Sequence, residues 1–182
     1  MCGVTGFLGG EKSYNLNDSS PIINSMLNKI HHRGPDDHGY WSDSNKGVNL
    51  GHKRLSIVDL SQTGHQPMHS ISKRYVVVFN GEIYNHMKLR QNLVKENKSS
   101  NWVGTSDTET LLAGFDAWGI EKTITNCIGM FSLAIWDKAN KTLNLIVDRI
   151  GEKPMYYGWQ GVGKTKTFLF GSELKALKEH PA

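Results

Sequence analysis

Cysteine is scarce in this 182-residue chain: Cys2 and Cys127 are the only two. Two thiols cannot build the framework that staples small secreted domains, so each has to be judged alone. Long apolar runs are missing as well. The longest, YVVVF, has five residues, far short of the ~20 that a membrane-spanning helix needs. No basic segment followed by an apolar stretch opens the chain, so no secretory leader is expected and the cytoplasm is the expected location. Charge of one sign is not concentrated either. The 21 Lys and Arg are scattered among 17 Asp and Glu, giving a net +4 and a pI near 9.0; this describes a mixed solvated surface, with no nucleic-acid or membrane partner. Internal repeats and low-complexity tracts are absent, and EKSYNLNDSS and KENKSSNW read as surface loops. With 38% hydrophobic residues, the length suits one compact domain with a real core.

Strand signals dominate what is present. CGVTGFL, LGHKRLSIVDL, YVVVFNGEIY, GMFSLAIWD, TLNLIVDR, PMYYGW and TFLFGS are short, rich in β-branched or aromatic residues, and bounded by Gly, Asn, Asp or Pro. Helices interrupt them. From Ser20 to about His32, Ile22, Ile23, Met26, Leu27 and Ile30 recur with a helical period, with Ser20 placed to cap and Pro21 at the first helical position. SDTETLLAGFDAWG carries a capping box, Ser106 with Glu109, then Leu111, Leu112, Phe115 and Trp118, and Gly119 at the stop. A helix from His86 to about Asn97 and a short one from Ser172 to about Glu179 complete an α+β pattern with many antiparallel candidates.

Some motifs do not fit their chemistry. GWQGVGKT satisfies the phosphate-loop expression, yet that mechanism needs the glycine loop to feed a helix. TKTFLFGS reads as a strand, so a hairpin turn between PMYYGW and TFLFG explains the glycines better. His31, His32 and His38 beside Asp36 and Asp37 invite a metal, but they offer no H-x-x-x-H or C-x-x-C spacing, so no metal site is assigned. Cys127, ahead of a strong strand, reads as core.

Five polar, glycine-bearing segments remain: HRGPDDHGYW, GHKRLSIVDLSQTGHQPM, VVVFNGEIYNH, GTSDTE and VDRIGEKPMYYG. Packing alone does not require them. Together with Cys2 they resemble, in order and spacing, the glutaminase domain of class II glutamine amidotransferases, and within that group the asparagine synthetase branch. HRGPDD and NGEIYNH carry the narrower resemblance, because relatives that make glucosamine phosphate or phosphoribosylamine differ after HRG and after NG. One departure is Val147 in IVDR, where relatives often carry arginine. The resemblance covers almost the whole chain, through GSELKAL. It implies an N-terminal-nucleophile hydrolase fold, a four-layer αββα sandwich of two mainly antiparallel sheets.

The implied chemistry is coherent. An amide carbon is a poor electrophile, so releasing ammonia from glutamine needs a strong nucleophile, a base and a pocket for the oxyanion. With Met1 removed, Cys2 carries both a thiol and an α-amine, and an unperturbed α-amine titrates at about 7.7–8.0, close enough to neutrality to take the thiol proton. By resemblance the Asn80 side chain and the Gly81 N–H form the oxyanion hole. Arg54 takes the carboxylate of L-glutamine, Asp107 takes its ammonium with Glu82 nearby, and Leu55 and Ile57 complete the substrate pocket. Asp107 also stands where an acid suits any helix N-terminus.

Relatives pass the ammonia to an ATP-using synthetase domain, announced by an S-G-G-x-D-S type loop that this chain does not contain. The expectation is a glutaminase domain over residues 1–182, with no cofactor of its own. ATP and Mg belong to a synthetase domain or subunit not in this chain, and the resemblance allows a homodimer. Amidation of aspartate to asparagine is the expected reaction of the parent, and amidation of a sugar acid or another carboxylate is the alternative. A catalytically silent module would have no need of Cys2, Arg54, Asn80, Gly81 and Asp107 together.

Overall fold

The structure is a computed structural model that describes residues 1–9, 16–56, 61–98 and 101–182. Alternation along the strands decides which layer each side chain enters. In β5 (Tyr75–Ile83), Val76 and Val78 face one way while Tyr75, Val77 and Phe79 face the other, and all five are buried. A strand covered on both faces needs a layer on each side. In β6 (Gly129–Asp137), Ala134 and Trp136 join the first set and Phe131, Leu133 and Ile135 the second.

Among the described residues the strands form two antiparallel sheets. One takes the order β2-β3-β1-β9-β8, with β1 at Gly3–Leu8, β2 at Asp37–Asp43, β3 at Val48–Arg54, β8 at Tyr156–Gln160 and β9 at Thr167–Gly171. The other is β4-β5-β6-β7, with β4 at Met68–His69 and β7 at Thr142–Val147. Val4, Val48, Leu50 and Phe170 of the first meet Val76, Val78, Ala134 and Trp136 of the second, so the sheets pack face to face. On the first sheet's outer face, Phe7 and Leu169 pack with Ile23, Met26 and Leu27 of α1 (Leu16–Lys29) and Ala176 of α5 (Leu174–Leu177). On the other outer face, the Phe79 side of β5 and β6 packs with Leu89 of α2 (His86–Lys95) and Leu111, Leu112 and Phe115 of α3 (Asp107–Trp118). The result is the expected four-layer αββα sandwich. Cys127 lies inside the second outer core with its thiol on the Thr123 carbonyl, 3.2 Å away.

Several boundaries differ from the sequence expectation. Helix α1 begins at Leu16, a turn before Ser20, and holds Pro21 inside; Ser20 Oγ receives the Tyr40 hydroxyl at 3.1 Å. It ends at Lys29, and His31–Arg33 form a 3₁₀ turn. Helix α2 stops at Lys95, and α5 spans only Leu174–Leu177. The third strand ends at Arg54, before the end of LGHKRLSIVDL, of which 57–60 lie outside the described residues. Strand β2 and helix α4 (Ile120–Asn126) were not foreseen: β2 is an edge strand with a half-exposed pattern, and α4 follows directly on Gly119, whose φ of 82° turns the chain. GWQGVGKT bridges β8 and β9, as a hairpin should.

Candidate active site

The same alternation that builds the inter-sheet core also fills the site. Cys2 extends the Val4 face of β1, Arg54 the Leu50 face of β3, and Asn80 the Val78 face of β5, so side chains from both sheets converge between them. There they line a cleft of about 110 Å³ together with Leu55, Gly81, Glu82 and Asp107. Every residue named by the resemblance and described by the structure is on that cleft; Ile57 lies outside the described residues. Val147 is away from it, exposed on edge strand β7.

Cys2 is held at both ends. Its thiol points to the Leu55 carbonyl (3.6 Å) and receives the Leu55 N–H (3.4 Å), while its own carbonyl accepts from Arg33 Nε at 2.9 Å. Arg33 is in turn fixed by Glu173, 3.0 Å away. Burial pushes the Cys2 thiol above its usual range, and the Leu55 peptide, the positive N-terminus and Arg54 oppose it. Met1 also stands on the cleft, its sulfur accepting from Lys153 Nζ at 3.0 Å.

The glycines of the motifs have identifiable work. Arg54 crosses Gly64, where a Cβ would collide with its Nη2, and its Nη1 donates to the Ser61 carbonyl at 2.8 Å. A Cβ on Gly81 would collide with the Met130 carbonyl of β6. Next to it Asn80 is buried, 1% exposed, and its Nδ2 has no partner among the described residues. An orphaned buried donor costs about 1–3 kcal/mol, so it marks a place where an acceptor would be welcome.

Asp107 opens α3, capped as expected by Ser106 Oγ accepting from Glu109 N at 3.3 Å. The Glu109 carboxylate does not complete the box; it accepts from Val103 N (2.7 Å), Gly104 N (3.1 Å) and Arg90 (3.0 Å). Asp107 Oδ2 accepts the Ile83 N–H at 2.9 Å. Burial raises the Asp107 carboxyl above its usual range, Glu82 adds to that, and the Ile83 amide and His86 only partly offset it. A cation beside it would relieve that cost.

Sequence reasoning did not single out Arg33, Gly64, Gln66 or Lys153, although all but Arg33 line the cleft and all four sit inside the motifs quoted. Their signal was membership in those segments. One histidine pair does have helical metal-site spacing, His65 and His69, but it runs from the end of a 3₁₀ turn through Pro67 into β4 and shares no helix face. No group of three or more His, Cys, Asp or Glu is gathered among the described residues, and among them no helix is long and apolar enough to cross a membrane.

Comparison with known proteins places this arrangement. The sequence model of the glutamine amidotransferase domain matches residues 1–182. Asparagine synthetase [glutamine-hydrolyzing] 3 of Bacillus subtilis is 37% identical over 183 residues, covering 100% of this chain and 28% of that protein. Amidase chry2 of Gibberella zeae is 37% identical over 86% of this chain and 24% of its own length. The chain thus spans under a third of these curated relatives. A solved glutamine phosphoribosylpyrophosphate amidotransferase from B. subtilis superposes with a TM-score of 0.75 at 22% identity, over 97% of this chain and 43% of that one; it supports the fold.

Proposed function

From its membership of the glutamine amidotransferase domain family, to which this chain belongs, we propose that the cleft hydrolyses L-glutamine and that Cys2, made N-terminal by removal of Met1, is the nucleophile. The α-amine of Cys2 accepts the thiol proton and the sulfur attacks the side-chain carboxamide carbon. The oxyanion so formed is held by Asn80 Nδ2 and the Gly81 N–H. Ammonia leaves with the transferred proton, and water hydrolyses the remaining thioester to glutamate, returning the thiol. Arg54 grips the substrate carboxylate through its planar fork, and Asp107, with Glu82, grips the ammonium. Leu55 presents its backbone to the sulfur.

The ammonia serves asparagine synthesis, as the name of the B. subtilis relative suggests; in this reading aspartate is the acceptor and the amidation falls to an ATP- and Mg-using synthetase domain or subunit. The observation that carries the reading is the convergence of Cys2, just ahead of β1, with Arg54 of β3, Asn80 of β5 and Asp107 of α3 on one cleft where Asn80 offers an unpartnered buried donor. Glutamine turnover should be measured for the protein beside Cys2→Ala, with intact mass after treatment with an electrophilic glutamine analogue. Turnover lost in Cys2→Ala and one adduct on a chain lacking Met1 are expected. Equal background turnover in both proteins would sink the proposal.

A further inference from the structure

The groups that hold the walls of the cleft in register stand on its rim, one residue along the chain from the side chains the proposed mechanism uses. Strand β4 pairs with β5 only at Met68–Val77 and His69–Val76, and beyond that point side chains serve the β5 backbone. The Phe79 N–H donates to Gln66 Oε1 at 2.7 Å, and the Phe79 carbonyl accepts from His52 Nε2 at 3.0 Å. Gln66 Nε2 then donates to Thr108 Oγ1 at 3.3 Å. All of these side chains are buried. Phe79 directly precedes Asn80, and Thr108 directly follows Asp107. One amide group therefore ties the strand that carries the oxyanion donor to the helix that carries the ammonium grip.

We propose that Gln66 is a positioning residue that fixes the separation of Asn80 from Asp107, and thereby the length of amino-acid side chain the cleft accepts. His52, on β3 of the facing sheet, holds the next peptide along through the Phe79 carbonyl. The inference rests on the glutaminase reading. A substrate anchored by its ammonium on Asp107 presents its carboxamide at a distance set by its methylenes, and a misplacement of about 1 Å costs on the order of a hundredfold in rate. Asparagine, one methylene shorter, falls short of Asn80 by about that much.

The alternative is that Gln66 merely satisfies a buried backbone N–H. The two separate on substrate discrimination, which a purely structural loss leaves alone. In Gln66→Met, kcat/KM for glutamine should fall about tenfold or more and the preference for glutamine over asparagine should narrow about threefold or more. Thr108→Val, which cuts only the tether to α3, should act chiefly on the glutamine KM, and Thr108→Ser should restore it. A preference unchanged in Gln66→Met, or a KM that Ser does not rescue, overturns the proposal. A wild-type protein without turnover speaks against the glutaminase reading by itself. The side-chain amide resonance of Asn80 then decides: displacement in Gln66→Met supports the positioning role, and an unmoved resonance overturns it.

Discussion

Asp107 and Asp148 are both buried carboxylates that accept backbone amides, and they have opposite characters. Asp148 takes Ile150, Gly151 and Glu152 on Oδ1 at 2.8–3.2 Å and Phe131 and Lys153 on Oδ2 at 3.0–3.3 Å. Burial pushes its carboxyl up, but those amides outweigh the burial and hold it below the usual range. Asp107 has the Ile83 and Thr108 amides and an acid neighbour, Glu82, and burial leaves it above the usual range. Asp148 is a finished structure that shapes the loop carrying Lys153 to the cleft. Asp107 is half of an interaction. The cysteines differ in degree: burial pushes Cys127 up to about 12 with only Arg149 against it, whereas at Cys2 the Leu55 peptide, a positive N-terminus and Arg54 together oppose burial. Between the two acids the difference lies in how fully the carboxylate is satisfied, since both are buried.

The contrast is broken most severely at Asn80. Asn80→Ala removes the unpartnered donor, and losing one oxyanion donor is worth about 2.7–4 kcal/mol of barrier, so glutamine kcat should drop on the order of a hundredfold or more with the melting temperature little changed. Asp148→Ala should do the reverse. It strands several buried N–H groups and should cost about 3 kcal/mol of stability by denaturant titration, with any loss of turnover following from unfolding. Asp107→Asn lies between them. Asparagine can still accept the Ile83 N–H but carries no charge, so stability should stay level or rise by up to about 1 kcal/mol while the glutamine KM rises about tenfold. A stability loss as large as that of Asp148→Ala would remove the distinction between the two acids.

Much of this could be read before any coordinates. The alternation in YVVVFNGEIY carries Asn80 on the Val78 face, and the cap at Ser106 places Asp107 on the first turn of α3, so strand and helix periodicity already aim two of the site residues. The apolar stripe of α1 was legible while its start was not, because Pro21 reads as a first-turn residue whereas the helix begins a turn earlier, at Leu16. Strand β2 escaped because an edge strand buries little and DHGYWSD has no clean apolar face. Gln66, Lys153 and Arg33 escaped for a different reason. Their contacts are with backbone atoms or side chains far along the chain, as in Arg33 with Cys2 and Gln66 with Thr108, and no local pattern encodes a long-range hydrogen bond.

The smallest expected effect tests whether the half-satisfied His52 beside the cleft strand β5 leaves a mark on stability. His52 donates Nε2 to Phe79, its Nδ1 is buried without a partner among the described residues, and burial lowers its pKa to about 4. The unfolded chain takes up that proton near pH 6.5 and the folded chain does not until about 4, so the unfolded state binds more protons between them and stability falls as pH drops through that window. At pH 5.5 the share of His52 is about 1 kcal/mol relative to pH 8. His180, lowered to about 4 by burial, adds in the same direction. Asp107, with its raised carboxyl, works oppositely: as pH falls through its raised value the folded state gains the proton first and is relieved. Denaturation midpoints from pH 8 to pH 5 should therefore decline in the wild type and decline less in His52→Gln, which keeps a donor for Phe79 but cannot titrate; where Asp107 takes up its proton, the decline should be steeper in Asp107→Asn, which lacks that relief. An identical decline in the wild type and His52→Gln would mean that the buried His52 ring leaves no mark on stability.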